Sequence, residues 1–229
     1  MALTVLADTA EEQWGLFTRR QAEAAGMAWS TLSRLAAEAT LVERVAHGVY
    51  RLRGAPPPEH LDLRAAWLQL APATPAWERP PEHGVVSHRS AAALYGLGHL
   101  PADVHEFTLP ARRQTRRGDV RLHRGQVDGH DLARHDGLTL TRPARIAGDL
   151  LTAREDPGAI GHIIADALRD GHDTPERFRR ALAPHAARFG LQRGNSTGLL
   201  HWLLDLTDSP RHRQGLTDTT TAESDPMPL

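Results

Sequence analysis

Residues 18–52 read TRRQAEAAGMAWSTLSRLAAEATLVERVAHGVYRL, and this stretch decides the fold of the first part of the chain. Thr18 followed by Gln21 is a capping-box signature, which predicts a helix from residue 19 to about residue 25. Gly26 ends it, because glycine takes the left-handed turn after a helix at no steric cost. Met27-Ala28-Trp29 is a short turn, and Ser30 is expected to cap another helix that reaches about Ala39. Leu32, Leu35, Ala36 and Ala39 recur at helical spacing and form one apolar stripe. Ser30, Ser33, Arg34, Ala37 and Glu38 occupy the opposite face. Two β-rich runs, residues 41–45 and 49–52, then flank Ala46-His47-Gly48 in the pattern of a hairpin. Upstream, residues 3–14 carry a weakly patterned helix.

Helix, helix, tight turn, helix, hairpin is the order of a winged helix-turn-helix. In such a module the second helix of the pair enters the major groove, with its first residues nearest the base edges. Trp29, Ser30, Thr31, Ser33 and Arg34 are therefore the expected DNA-facing residues. Arg34 can grip a guanine edge through two hydrogen bonds or pair with a phosphate. Thr18, Arg19 and Arg20 open the preceding helix, where amide donors and arginines suit phosphate. Arg44, His47 and Arg51 are further phosphate candidates on the wing. Residues 1–53 are neutral, however, with six arginines against six acids. DNA-binding domains are commonly basic, so a protein-interaction or dimerisation module of the same outline stays open.

Outward from this block, Gly54-Ala55-Pro56-Pro57-Pro58 reads as a stiff linker over residues 54–58. A second block spans residues 59–206. It opens with a helix over 59–70, a short strand at 85–86 and a helix over 88–95 capped by Ser87. Strands are expected at 104–109 and 119–123, and a short one at 138–140 after the Asp136-Gly137 turn. Beyond residue 141 the pattern turns helical. Asp156-Pro157 and Thr174-Pro175 each place a cap before a first-turn proline, and a last helix covers 196–206. Strands followed by helices make this an α+β fold. Residues 207–229 are polar and poor in large apolar side chains, and read as a disordered tail.

Composition excludes several chemistries. All 27 basic residues among the 229 are arginine, and cysteine is absent. There is thus no phosphate-loop lysine, no Schiff-base lysine, no lysine-dependent nuclease centre, no thiolate zinc site and no thiol nucleophile. The net charge of −1 gives no bulk pull toward nucleic acid or membrane. Charge is nonetheless uneven: residues 111–147 hold nine arginines against four aspartates, and residues 54–110 hold three against six acids. Arg112, Arg113, Arg116 and Arg117, followed by Arg121 and Arg124, suit a phosphate or an acidic protein face, with a solvated loop as the plain alternative. His123, His130, His135, Asp128, Asp131 and Asp136 crowd one stretch without a metal-site spacing, and an exposed polar loop is the better reading. No metal and no cofactor is expected. Ser87, His88 and Ser90 lack the strand-to-helix elbow of a serine hydrolase. With neither a basic leader nor a membrane-length apolar run, a cytoplasmic protein is expected.

Four stretches resemble a known family. GLFTRRQAEAAGMAWSTLSRLAAEATLVERVAHGVYRL resembles the N-terminal winged-helix domain of AbiEi-type antitoxins. VSHRSAAALYGLGHLP, HEFTLPARRQTRRGDVRLHRG and DGLTLTRPARIAGDLL resemble the domain that comes after it, in the same order. The resemblance covers most of residues 10–170. It implies an antitoxin of a type IV toxin–antitoxin system, without enzymatic activity, that represses its own operon by binding inverted repeats. It implies a second domain that counters a nucleotidyltransferase-like toxin without a stable complex, and a monomer that pairs on DNA. Thr18, Arg19, Ser30, Thr31 and Arg34 fall where members of the family face DNA. The wing tip departs, with Ala46-His47 standing where arginine is expected, which implies pH-sensitive wing contacts. On this reading, replacing Arg112 and Arg113 damages antitoxicity and spares operator binding. The alternatives are a stand-alone winged-helix regulator and an endonuclease-fold enzyme; the absence of lysine argues against the latter.

Overall fold

The computed structural model describes residues 2–207, so the tail expected after residue 207 lies outside the described residues. The chain is mixed α+β and parts into two compact units. Among the described residues, one runs to Ala91 and takes in Ala102–Thr141, and the other is Ala92–Pro101 with the residues from Arg142 onward.

The first unit begins with α1 (Ala2–Glu11), β1 (Leu16–Thr18), α2 (Arg19–Ala24), α3 (Trp29–Glu38), β2 (Val42–Ala46) and β3 (Val49–Leu52). The three strands form an antiparallel sheet in the order β1-β3-β2. The sequence predicts no strand at β1, because three residues are too few to show an alternating pattern. Its pairing with β3 and its complete burial create it. Leu6, Ala10, Phe17, Ala22, Met27, Leu32, Leu35, Val42 and Tyr50 make the core beneath these elements. The Phe17 and Tyr50 rings stack within it, 5.7 Å apart. The capping box forms as read: Thr18 Oγ1 accepts from the Gln21 amide, and the Thr18 amide donates to Gln21 Oε1 at 2.8 Å. The start of α3 differs. Its cap is Ala28, without a side-chain bond, and Ser30 lies inside the first turn.

The compact units do not part at residues 54–58. Buried polar side chains lock the first block onto residues 72–76 and 136, because a buried amide must find partners. Gln13 Oε1 accepts from the Ala76 amide at 2.8 Å and from Gln21 Nε2 at 3.0 Å, while Gln13 Nε2 donates to the Leu16 carbonyl at 3.1 Å. The Thr18 hydroxyl donates to the Pro72 carbonyl, and Trp14 Nε1 donates to the Asp136 carbonyl at 2.8 Å.

The rest of the first unit is α4 (Leu61–Leu70), β4 (Val85–Val86), the first residues of α5 (His88–Tyr95), β5 (His105–Leu109), β6 (Val120–Arg124), β7 (Leu132–His135) and β8 (Leu138–Thr141). The last five strands form a mixed sheet in the order β6-β5-β4-β8-β7. β6 and β7 correct the reading of the stretch 123–136 as a polar loop, since His123 lies in β6 and His135 in β7. β7 is an edge strand whose last two residues are exposed, so its sequence looks like a polar turn. Asp136 (φ 46°) and Gly137 (φ 77°) join it to β8 with both residues left-handed, as a two-residue hairpin requires. A Cβ at Gly137 would lie 2.9 Å from Trp14 Cζ2.

The second unit is helical: α6 (Pro143–Thr152), α7 (Pro157–Arg169), α8 (Pro175–Leu182) and α9 (Ser196–Asp205). Its caps are those the sequence announces. Asp156 accepts from the Ala159 amide at 2.8 Å and Thr174 from the Arg177 amide at 3.4 Å, each before a first-turn proline. Ile160, Ile163, Ile164, Phe178, Leu182, Leu199 and Leu203 are buried here.

Candidate nucleic-acid interface

Leu32 and Leu35 turn one face of α3 into the core, which leaves Trp29, Ser30, Thr31, Ser33 and Arg34 exposed. The face opens with Trp29, an exposed aromatic, and continues with the small hydroxylated Ser30, Thr31 and Ser33. Arg34 Nη1 pairs with Glu38 Oε1 at 2.7 Å along the helix. Arg19 lies over the Trp29 ring, 4.3 Å from its centroid, and its Nε pairs with Glu23 at 2.7 Å. This cation–π contact ties the start of α2 to the start of α3. Arg20 is exposed, with Glu23 3.5 Å away.

Two of the expected phosphate contacts are occupied in other ways. Thr18 is fully buried, its hydroxyl shared between the cap and the Pro72 carbonyl. Arg51 is half-buried; it donates to Glu43 Oε2 at 2.8 Å and to the Ala55 carbonyl at 3.2 Å. The Arg51 hydrogen bond and charge hold the Glu43 carboxyl below its ordinary range. On the β2–β3 hairpin, Arg44 and His47 are exposed, with Arg44 Nη2 3.2 Å from His47 Nδ1.

The arginine loop between β5 and β6 lies next to this hairpin. Gln69, on α4, makes the link: its Nε2 donates to the His47 carbonyl at 2.8 Å, and its Oε1 accepts from Arg117. Arg113 donates to the Leu70 carbonyl. Arg117 also holds Asp119, Nε to Oδ1 at 2.9 Å. Arg112, Arg116 and Arg124 are exposed, and Arg121 Nη1 lies 3.9 Å from Glu106 Oε2. Nothing in the sequence marks Gln69, because a lone glutamine near a helix end carries no pattern. The expected polar stretch also divides. Asp128, His130 and Asp131 gather at the surface, whereas His123 turns inward to Glu106 and His88.

Residues 5–53, from α1 to the end of β3, match a family model described as transcriptional regulator, AbiEi antitoxin. No curated protein matches the chain. No helix among the described residues is long and apolar enough to cross a membrane.

Proposed function

We propose that the chain is a DNA-binding transcriptional regulator of the antitoxin type, with α1 to β3 acting as a winged helix-turn-helix. One observation carries this reading: α3 is pinned through Leu32 and Leu35 while Trp29, Ser30, Thr31, Ser33 and Arg34 stand exposed on its outer face. α3 enters the major groove, and Arg34 exchanges Glu38 for a guanine edge or a phosphate. Arg19 and Arg20 meet the backbone beside it, and Arg44 and His47 meet it from the wing. Through this module the protein represses its own operon at inverted repeats, pairing there from a monomer. It counters a nucleotidyltransferase toxin and catalyses no reaction itself. The family match over residues 5–53 supports the regulator role.

The test is a gel shift on DNA from upstream of the gene. Arg34→Ala is expected to weaken binding by roughly 1–3 kcal/mol if Arg34 reads a base. Wild-type affinity in that variant, or no retardation of upstream DNA by the wild-type protein, overturns the assignment.

A further inference from the structure

Next to His88, at the start of α5, the outer half of the five-stranded sheet presents polar side chains on one face. β5 and β6 run parallel, with Glu106 opposite Arg121 and Thr108 opposite His123. Alternation along a strand therefore points Glu106, Thr108, Arg121 and His123 to the same side. His88, the first residue of α5, joins them there. The donor atoms of His88, Glu106 and His123 all lie within 4.8 Å of one another. His123 Nε2 is 2.6 Å from Glu106 Oε2, and the His88 and His123 rings stack with centroids 3.6 Å apart.

Three features set this cluster apart from an ordinary buried ion pair. Glu106 is 3% exposed and His88 is 7% exposed, so two of the three groups are held away from water at a cost. His88 adopts φ 53°, a left-handed conformation that a non-glycine residue takes only when its surroundings impose it. The His88 ring is also oriented from behind. Its Nδ1 lies 2.9 Å from Ser87 Oγ, which in turn accepts from Thr108 Oγ1 at 2.8 Å. An Nδ1–H donated to Ser87 leaves Nε2 as the electron-pair donor, which is how a metal-ligating histidine is commonly held.

We infer that His88, Glu106 and His123 form a binding site for a divalent transition ion, with zinc as its natural occupant. Two imidazoles and a carboxylate are a borderline-soft donor set that suits zinc. Bonds of about 2.0–2.1 Å in a tetrahedral arrangement bring ligand atoms to about 3.3 Å from one another. To reach that spacing the His123–Glu106 pair must open from 2.6 Å, and the two rings must tilt out of their parallel stack. The ion takes the place of the proton shared between His123 and Glu106, so binding releases protons. Entry is from the His123 side, where that side chain is 24% exposed. A bound ion would clamp the start of α5 to β5 and β6. The site is independent of the DNA-binding reading.

The experiment is titration of the full-length, untagged protein with Zn²⁺ and Co²⁺, monitored by calorimetry and by cobalt d–d absorption. The wild type is expected to take one ion per chain, with the intense visible bands of a four-coordinate cobalt centre and a thermal midpoint that rises with zinc concentration. His123→Ala and Glu106→Gln should each remove the bands. Ser87→Ala, which only loosens the His88 ring, should weaken affinity roughly 10–100-fold. His130→Ala, at the surface cluster of Asp128 and Asp131, should change nothing. The proposal is overturned if the wild type shows no saturable binding, or if His123→Ala and Glu106→Gln variants with native circular dichroism bind as the wild type does.

Discussion

Asp119 and Arg117 show how one residue pair on the arginine loop responds to pH. The Arg117 hydrogen bond, with its charge, lowers the Asp119 pKa to about 2 from an ordinary 3.8. A carboxylate with a depressed folded pKa contributes stability that is complete above its unfolded pKa and is lost as pH falls through the folded one. The window for Asp119 therefore lies between about 4 and about 2. Asp119→Asn is expected to be less stable than wild type above that window, and the two unfolding midpoints should converge below it. Both side chains are substantially exposed, 30% for Arg117 and 47% for Asp119, so solvent screens the pair and the gap should shrink in high salt. Thermal melts at pH 2, 4 and 7 in low and high salt test this. A constant gap at every pH would show that the asparagine acts through something other than the charge pair.

At the scale of elements, α4 depends on a residue outside it. Its last carbonyls have no helical partners, as at every helix C-terminus, and here they are buried. Arg79 fills that end. It donates to the carbonyls of Trp67, of Leu68 at 2.7 Å and of Ala71 at 2.6 Å, and its Nε donates to Thr74 at 3.1 Å. Its guanidinium sits 4.4 Å from the Trp67 ring centroid. Burial lowers its pKa to about 9, which leaves it charged at neutral pH and matched to the negative end of the helix. Arg79→Met should cost on the order of 3 kcal/mol, since several buried acceptors lose their donor at once. Arg79→Lys should recover only part of that loss, because a compact ammonium cannot span carbonyls that a planar fork reaches. Urea unfolding with unchanged slope measures both, and a variant within about 0.5 kcal/mol of wild type would remove Arg79 from this role. Elements of this kind mark what a sequence hides. Helices with an internal stripe or a Thr-x-x-Gln or Asp-Pro start are legible, as are the Asp-Gly turn and the strands at 105–109 and 120–124. β1 and β7 are not, because one is three residues long and the other is half exposed. The buried arginines Arg64 and Arg79 look like surface residues until tertiary carbonyls surround them.

At the scale of the whole first unit, the arginine loop changes meaning. Along the chain it lies some sixty residues from the β2–β3 hairpin, and its charge falls outside residues 1–53. The fold joins the two through Gln69, which holds the His47 carbonyl with one end of its amide and Arg117 with the other. Arg113 and Arg117 are spent on this junction, and Arg112 and Arg116 remain exposed beside it. On the proposed DNA-binding reading, the neutral balance of residues 1–53 is offset by exposed arginines from a second, distant segment. We therefore expect Arg112→Ala/Arg116→Ala to weaken operator binding, against the simpler expectation that this loop serves only antitoxicity. Contacts to phosphate act through counterion release, so each one lost should reduce the slope of log K against log salt by about 1. Such contacts carry no base information, so the ratio of operator to unrelated-DNA affinity should stay the same. Arg34→Ala should do the reverse, lowering that ratio. Binding isotherms over a salt series on both DNAs separate the two effects. An unchanged slope in the double variant, with protection against the toxin lost, would move the arginine loop from the DNA surface to the toxin-facing one.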